Sequence, residues 1–96
     1  MKRAQPMQIR EIIEKMLDDT GLRPALEQRS VEALWPAVVG RHIESYTRMV
    51  RLEGRILHVY INSAALKEEL GYLRETLIAQ INRMASRKAV DNIIIH

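Results

Sequence analysis

Three histidines, His42, His58 and His96, are the side chains in this 96-residue chain best suited to proton transfer or metal binding near neutral pH. None belongs to an H-E-x-x-H pair, and His42 and Glu44, two positions apart, do not meet on one helix face. The chain has no cysteine, which excludes disulfides, thiol catalysis and cysteine-ligated zinc. It also has no glycine-rich phosphate loop, and nothing in the spacing assembles a nucleophile, a base and an acid. The expectation is a protein that is not an enzyme, with no metal, no cofactor and no small-molecule substrate.

The chemistry left is that of charge and stacking. The formal net charge is +3 and the pI near 9.6, so an anionic partner is compatible with the composition. Distribution says more than the sum. Arg41, Arg48, Arg51 and Arg55, with His42, face only Glu44 and Glu53 in the same stretch, and Arg83, Arg87 and Lys88 form a second basic group. A soluble surface carries arginines too, so charge alone does not assign a partner.

The elements that must position these side chains centre on residues 48–70. Leu57, Val59 and Ile61 alternate with Ile56, His58 and Tyr60, and upstream Val50 and Leu52 alternate with Met49 and Arg51. Period two predicts two strands, and Glu53-Gly54 between them predicts a tight hairpin, with Gly54 supplying a positive φ. One face then carries Val50, Leu52, Leu57, Val59 and Ile61, a core face. The other carries Met49, Arg51, Ile56, His58 and Tyr60, a mixture suited to meeting a macromolecule. Asn62-Ser63 offers a cap to one long helix whose stripe is Leu66, Leu70, Leu73, Leu77, Ile81 and Met84. Gly71 within it suggests a close approach to the sheet.

Residues 1–5 read as a short basic lead and residues 6–96 as one domain. Pro6 opens a first helix with the stripe Ile9, Ile12, Ile13, Met16 and Leu17, and Gly21 fits its end. After Pro24 a second stripe, Leu26, Val31, Leu34, Trp35, Val38 and Val39, belongs to one helix or two short ones, with Pro36 a kink or break and Gly40 either the end of this helical region or a close backbone contact. Trp35, the single tryptophan, reads as a core anchor. Ile93, Ile94 and Ile95 predict a third strand parallel to the second, its neighbour in the sheet left open. The expected fold is α+β, ordered α-α-β-β-α-β, a three-stranded sheet with helices packed on one face. No apolar run approaches a membrane span and no secretory leader is evident, so the expected location is the cytoplasm.

The run Trp35-Pro36-Ala37-Val38-Val39-Gly40, then Ile43 and Thr47, Gly54 with Leu57 and Val59, Asn62-Ser63-Ala64-Ala65-Leu66, Glu69-Leu70, Ile81-Asn82 and the closing isoleucines resemble the DciA-like family. The resemblance covers nearly the whole chain from Ile9. It implies a KH-like domain, similar in element order to the N-terminal domain of the replication initiator DnaA. It further implies an accessory role in bacterial replication, assisting the replicative helicase and binding DNA. In longer members a C-terminal extension beyond the point where this sequence ends is implicated in helicase contact. Gly40-Arg41-His42-Ile43 is not a G-x-x-G, so no clamping of a nucleic-acid backbone by a KH loop is expected here.

Two functions follow as expectations. In the first, phosphate contacts come from Arg41, Arg48, Arg51, Arg55, Arg87 and Lys88, with His58 beside them and Tyr60 as a stacking platform, and the partners are DNA and the replicative helicase. In the second, Met49, Ile56, Tyr60 and Ile94 form a protein interface or a homodimer contact without nucleic acid.

Overall fold

The computed structural model describes residues 6–96, and the basic lead, residues 1–5, lies outside them. Its centre is a hairpin built by the alternating residues. β1 (Thr47–Glu53) and β2 (Ile56–Ile61) pair antiparallel, with Val50 opposite Val59, Leu52 opposite Leu57 and Glu53 opposite Ile56. The two-residue loop is therefore Gly54-Arg55, one position later than the sequence suggests. Gly54 has φ 62°, the left-handed value that a primed hairpin turn demands at its first loop position and that glycine adopts without steric cost. β3 (Asn92–Ile95) runs parallel to β2 and lies beside it, so the sheet order is β1-β2-β3.

The helices are α1 (Pro6–Thr20), α2 (Arg23–Glu32), α3 (Leu34–Ser45), α4 (Ala64–Tyr72) and α5 (Arg74–Ala85). The class is α+β as expected; the second stripe, open between one helix and two, forms two, and the one long helix expected after β2 is divided. The division at Ala33 suits Pro36, which falls in the first turn of α3, where backbone amides have no partner within the helix and proline sacrifices none. Gly40, at φ 86° and ψ 172°, then kinks α3. The single long helix expected after β2 is two: Leu73, at φ −97° and ψ 6°, separates α4 from α5. Gly71 makes no close approach to the sheet, because a side chain there would meet open space. Its poor helix propensity sits two residues before the break.

Val31 and Trp35 from α2 and α3, with Leu70, Leu77 and Ile81 from α4 and α5, close over Leu52, Leu57, Val59, Ile61 and Ile93 of the sheet. Trp35 is fully buried, and its indole N–H donates to Thr47 Oγ1 at 3.1 Å, tying α3 to the start of β1. Ser63 caps α4 by accepting from the Leu66 amide. Asn82 on α5 donates to the Val90 carbonyl and accepts from the Val90 amide, both at 2.9 Å, which steers the chain into β3. Glu32 accepts the Leu52 amide at 2.9 Å and so covers part of the β1 edge.

The described members of the α1 stripe do not join this core, and the Leu17 side chain lies outside the described residues. Ile9, Ile12, Ile13 and Met16 are all exposed, and no described α1 side chain is among those that form or flank the core. The sheet is only three strands wide, and α2 to α5 already roof its inner side.

Candidate nucleic-acid and partner interface

The helices occupy one side of the sheet, so the side chains of opposite parity stand on a side that no described helix covers. Cross-strand register arranges them in rows. Arg51 is opposite His58, which is opposite Ile94; Met49 is opposite Tyr60; Glu53 is opposite Ile56, which is opposite Asn92. His96 follows β3 and continues its outward parity. Its amide donates to the Val59 carbonyl at 2.8 Å, and its carbonyl accepts from the Ile61 amide at 2.9 Å.

These bonds set three rings in a row. Tyr60 and His96 stack with centroids 4.5 Å apart and planes 13° from parallel, and His58 and His96 stack at 5.2 Å and 22°. His58 Nδ1 lies 2.9 Å from His96 Nε2, a hydrogen bond in which one ring donates and the other accepts. The other nitrogen of His58 stands 3.8 Å from Glu53, and Glu53 pairs with Arg51 at 3.2 Å. The face is thus an aromatic row flanked by an exposed ion pair.

Arg48 reaches the same neighbourhood by an irregularity. Thr47 pairs with Ile61 and Met49 with Tyr60, so Arg48 is one residue in excess on β1, a bulge. Strict alternation assigns Arg48 to the side of Val50 and Leu52. The bulge instead leaves both Arg48 and Met49 exposed, and the two line a shallow surface depression with Tyr60.

The other expected cations lie elsewhere. Arg41 is exposed on α3 beyond the Gly40 kink, on the helical side of the sheet. Arg55 sits in the hairpin turn and grips Asp91 through Nε at 2.7 Å and a terminal nitrogen at 3.0 Å, while also donating to the Lys88 carbonyl. That two-pronged hydrogen bond holds the Asp91 carboxyl below its ordinary pKa, aided by the charge of Arg55, and raises that of Arg55. Arg55 and Arg87 line one depression with Gly54 and Pro24. Arg55, Arg87 and Lys88 therefore form a second basic locus at the turn end of the hairpin. Among the described residues no salt bridge involves Arg41, Arg48, Arg87 or Lys88.

Of the expected protein-contact residues, Met49 and Tyr60 face each other across the strands and line one depression, while Ile56 lies two rows away, beyond the row that holds Arg51, His58 and Ile94. The ring of His96, absent from the sequence-based candidates, completes the face. Its signal was the alternation Asn92, Ile94, His96, which becomes informative only once β3 is known to lie beside β2.

What such a face can do is stack planar groups and hold anions. Among the described residues there is no cluster of three or more histidine and acidic side chains suited to a metal ion. No described helix is long and apolar enough to cross a membrane. In comparison with known proteins, residues 8–95 match the model of a family described as Dna[CI] antecedent, DciA. No curated protein matches the chain.

Proposed function

The chain belongs to the DciA family, which is associated with the replicative helicase, and from that premise we propose that it is a non-enzymatic, cytoplasmic accessory domain that engages DNA non-specifically while assisting that helicase. The domain is read as KH-like over residues 6–96, without the glycine loop of KH proteins. The observation that carries this reading is the row Tyr60, His96 and His58 on an uncovered sheet face, with Arg48 and Arg51 alongside. Rings accept unpaired bases on their open faces and edges, and the arginines meet phosphates. Tyr60 is already stacked on one side by His96, so a base adds to the row rather than intercalating within it.

Of the basic residues, Arg48 is the best placed phosphate contact, because it borders Tyr60 and is in no salt bridge among the described residues. Arg51 must first release Glu53. That exposed pair is worth at most about 1 kcal/mol and is a small obstacle. Arg55, Arg87 and Lys88 serve a strand that continues past the hairpin turn, and Arg41 contributes only long-range attraction. A protein interface centred on Met49, Ile56, Tyr60 and Ile94 is the weaker reading, since Arg51 and His58 stand in the row between Met49 and Ile56.

The test is a titration of labelled single-stranded and duplex DNA, followed by anisotropy at low and moderate salt. Binding that falls steeply with salt and shows little sequence preference supports the proposal. No binding at low salt, with a helicase contact intact, leaves only the protein-contact reading.

A further inference from the structure

The hydrogen bond between His58 and His96 limits how many protons the two rings carry. With 2.9 Å between Nδ1 of His58 and Nε2 of His96, one ring donates and the other accepts, so at least one ring is neutral. When both rings are protonated, each of the two facing nitrogens carries a hydrogen and neither accepts. The bond is then lost, and two charged N–H donors face a single gap. Histidine is the side chain that makes this change between about pH 5 and 8.

The surroundings decide what that gap takes. No described helix packs on this side of the sheet, so the groups facing the pair come from the strands alone. Glu53 on β1 stands 3.8 Å from Nε2 of His58, the nitrogen turned away from His96, and it also holds Arg51 at 3.2 Å. Arg48 and Arg51, both on β1, are the other charges. On β2 the neighbour is Tyr60, whose ring is stacked on that of His96 at 4.5 Å, an arrangement that accepts an imidazolium over an aromatic face. On β3 the residue across from His58 is the uncharged Ile94. The backbone oxygen of His96 is bonded within the sheet to the Ile61 amide. A single carboxylate therefore faces two arginines and two imidazoles, and among the described residues none pairs with His96.

We propose that His58 and His96 form a proton-operated phosphate site: when both rings are protonated, Nδ1 of His58 and Nε2 of His96 donate to one phosphodiester oxygen, and otherwise the two nitrogens close on each other. The ligand is a backbone phosphate of the strand whose bases meet Tyr60, so the inference rests on the DNA reading and adds to it a dependence on pH. Two charge-assisted hydrogen bonds replace one neutral bond. By reciprocity, a bound phosphate favours protons on the pair as much as those protons favour the phosphate. His96 stays stacked on Tyr60 in both states, so the ring row survives the opening.

Labelled oligothymidylate is the probe, because neither its bases nor its phosphodiesters change charge over the range in which histidine titrates. At constant low ionic strength, wild-type affinity is expected to rise about three- to tenfold for each unit that pH falls through that range. His58→Gln and His96→Gln should each remove most of this rise, because the site needs both donors, and the double variant should show none. His42→Gln, on α3 and away from the sheet face, should keep the wild-type dependence. Thermal melts confirm that each variant is folded. An affinity that does not change with pH overturns the proposal and leaves the DNA reading standing, as does a rise that survives in the double variant. Single variants that each remove only half of the rise show the rings acting as separate charges, which overturns the shared site. Absence of oligothymidylate binding at every pH overturns the DNA reading and this site with it.

Discussion

His58 and His96, 38 positions apart in sequence, share a hydrogen bond of 2.9 Å between ring nitrogens on the open side of the sheet. The contact exists because β3 lies parallel beside β2, and it places the His96 ring between those of His58 and Tyr60. Removing a ring from the row should therefore be felt by a stacked base and not by the core.

Tyr60→Ala is expected to weaken single-stranded DNA binding by about 1–3 kcal/mol, with His96→Ala producing a smaller loss through the disordering of Tyr60. Both chains should melt close to wild type, since neither ring contributes to the buried core. Anisotropy titrations beside thermal melts check this, and wild-type affinity in Tyr60→Ala would move the site off this face.

Charge reversal separates the two basic loci. Arg48→Glu should weaken binding more than Arg55→Glu, because Arg48 borders the ring row while Arg55 is held by Asp91. Arg51→Glu combined with Arg55→Glu should also reduce affinity, with the fold retained. In each case the slope of log affinity against log salt should fall by about one for each phosphate that is no longer neutralised. A uniform effect across all arginines would indicate diffuse attraction rather than a located site.

Val59→Asp should prevent folding. Val59 is fully buried on the central strand, and a carboxylate there has no partner. The penalty of several kcal/mol is a large share of the roughly 5–15 kcal/mol that holds a domain together. Circular dichroism and solubility of the variant decide it, and a folded product would mean that the inner and outer faces are interchanged.

Asn82→Ala should cost about 1–3 kcal/mol, because it strands the amide and carbonyl of buried Val90. Urea denaturation measures it. A loss confined to the β3 end, seen as faster amide exchange at residues 90–96, is expected before global unfolding.

The Arg55–Asp91 pair predicts the acid limb of stability. The folded-state pKa of Asp91 is lowered, so its contribution is fully present above the unfolded value near 4 and is lost as pH falls through the folded value. Both groups are solvent-exposed, so the effect is small. Urea midpoints of wild type and Asp91→Asn should converge as pH drops below about 4, wild type being the more stable above it. Parallel curves through that range would show that the pair does not report on folding.

The strands and their faces were legible because period two is a local property: Leu57, Val59 and Ile61 alternate whatever surrounds them, and the direction of β3 followed from the helical crossover before it. The same holds for Trp35 as an anchor, a large apolar side chain on an apolar stripe. Locality is also why the rest was not legible. Nothing in Ile94 or His96 reveals which strand lies beside β3, so the ring row could not be assembled from spacing. A bulge at Arg48 breaks the alternation by one residue without a compositional mark, and the stripe Leu66 to Met84 runs unbroken across a helix that divides at Leu73. On α1 the sequence determined an amphipathic helix. Only the tertiary structure decided that Ile9, Ile12, Ile13 and Met16 stay exposed, because a sheet three strands wide has its inner face already filled by α2 to α5.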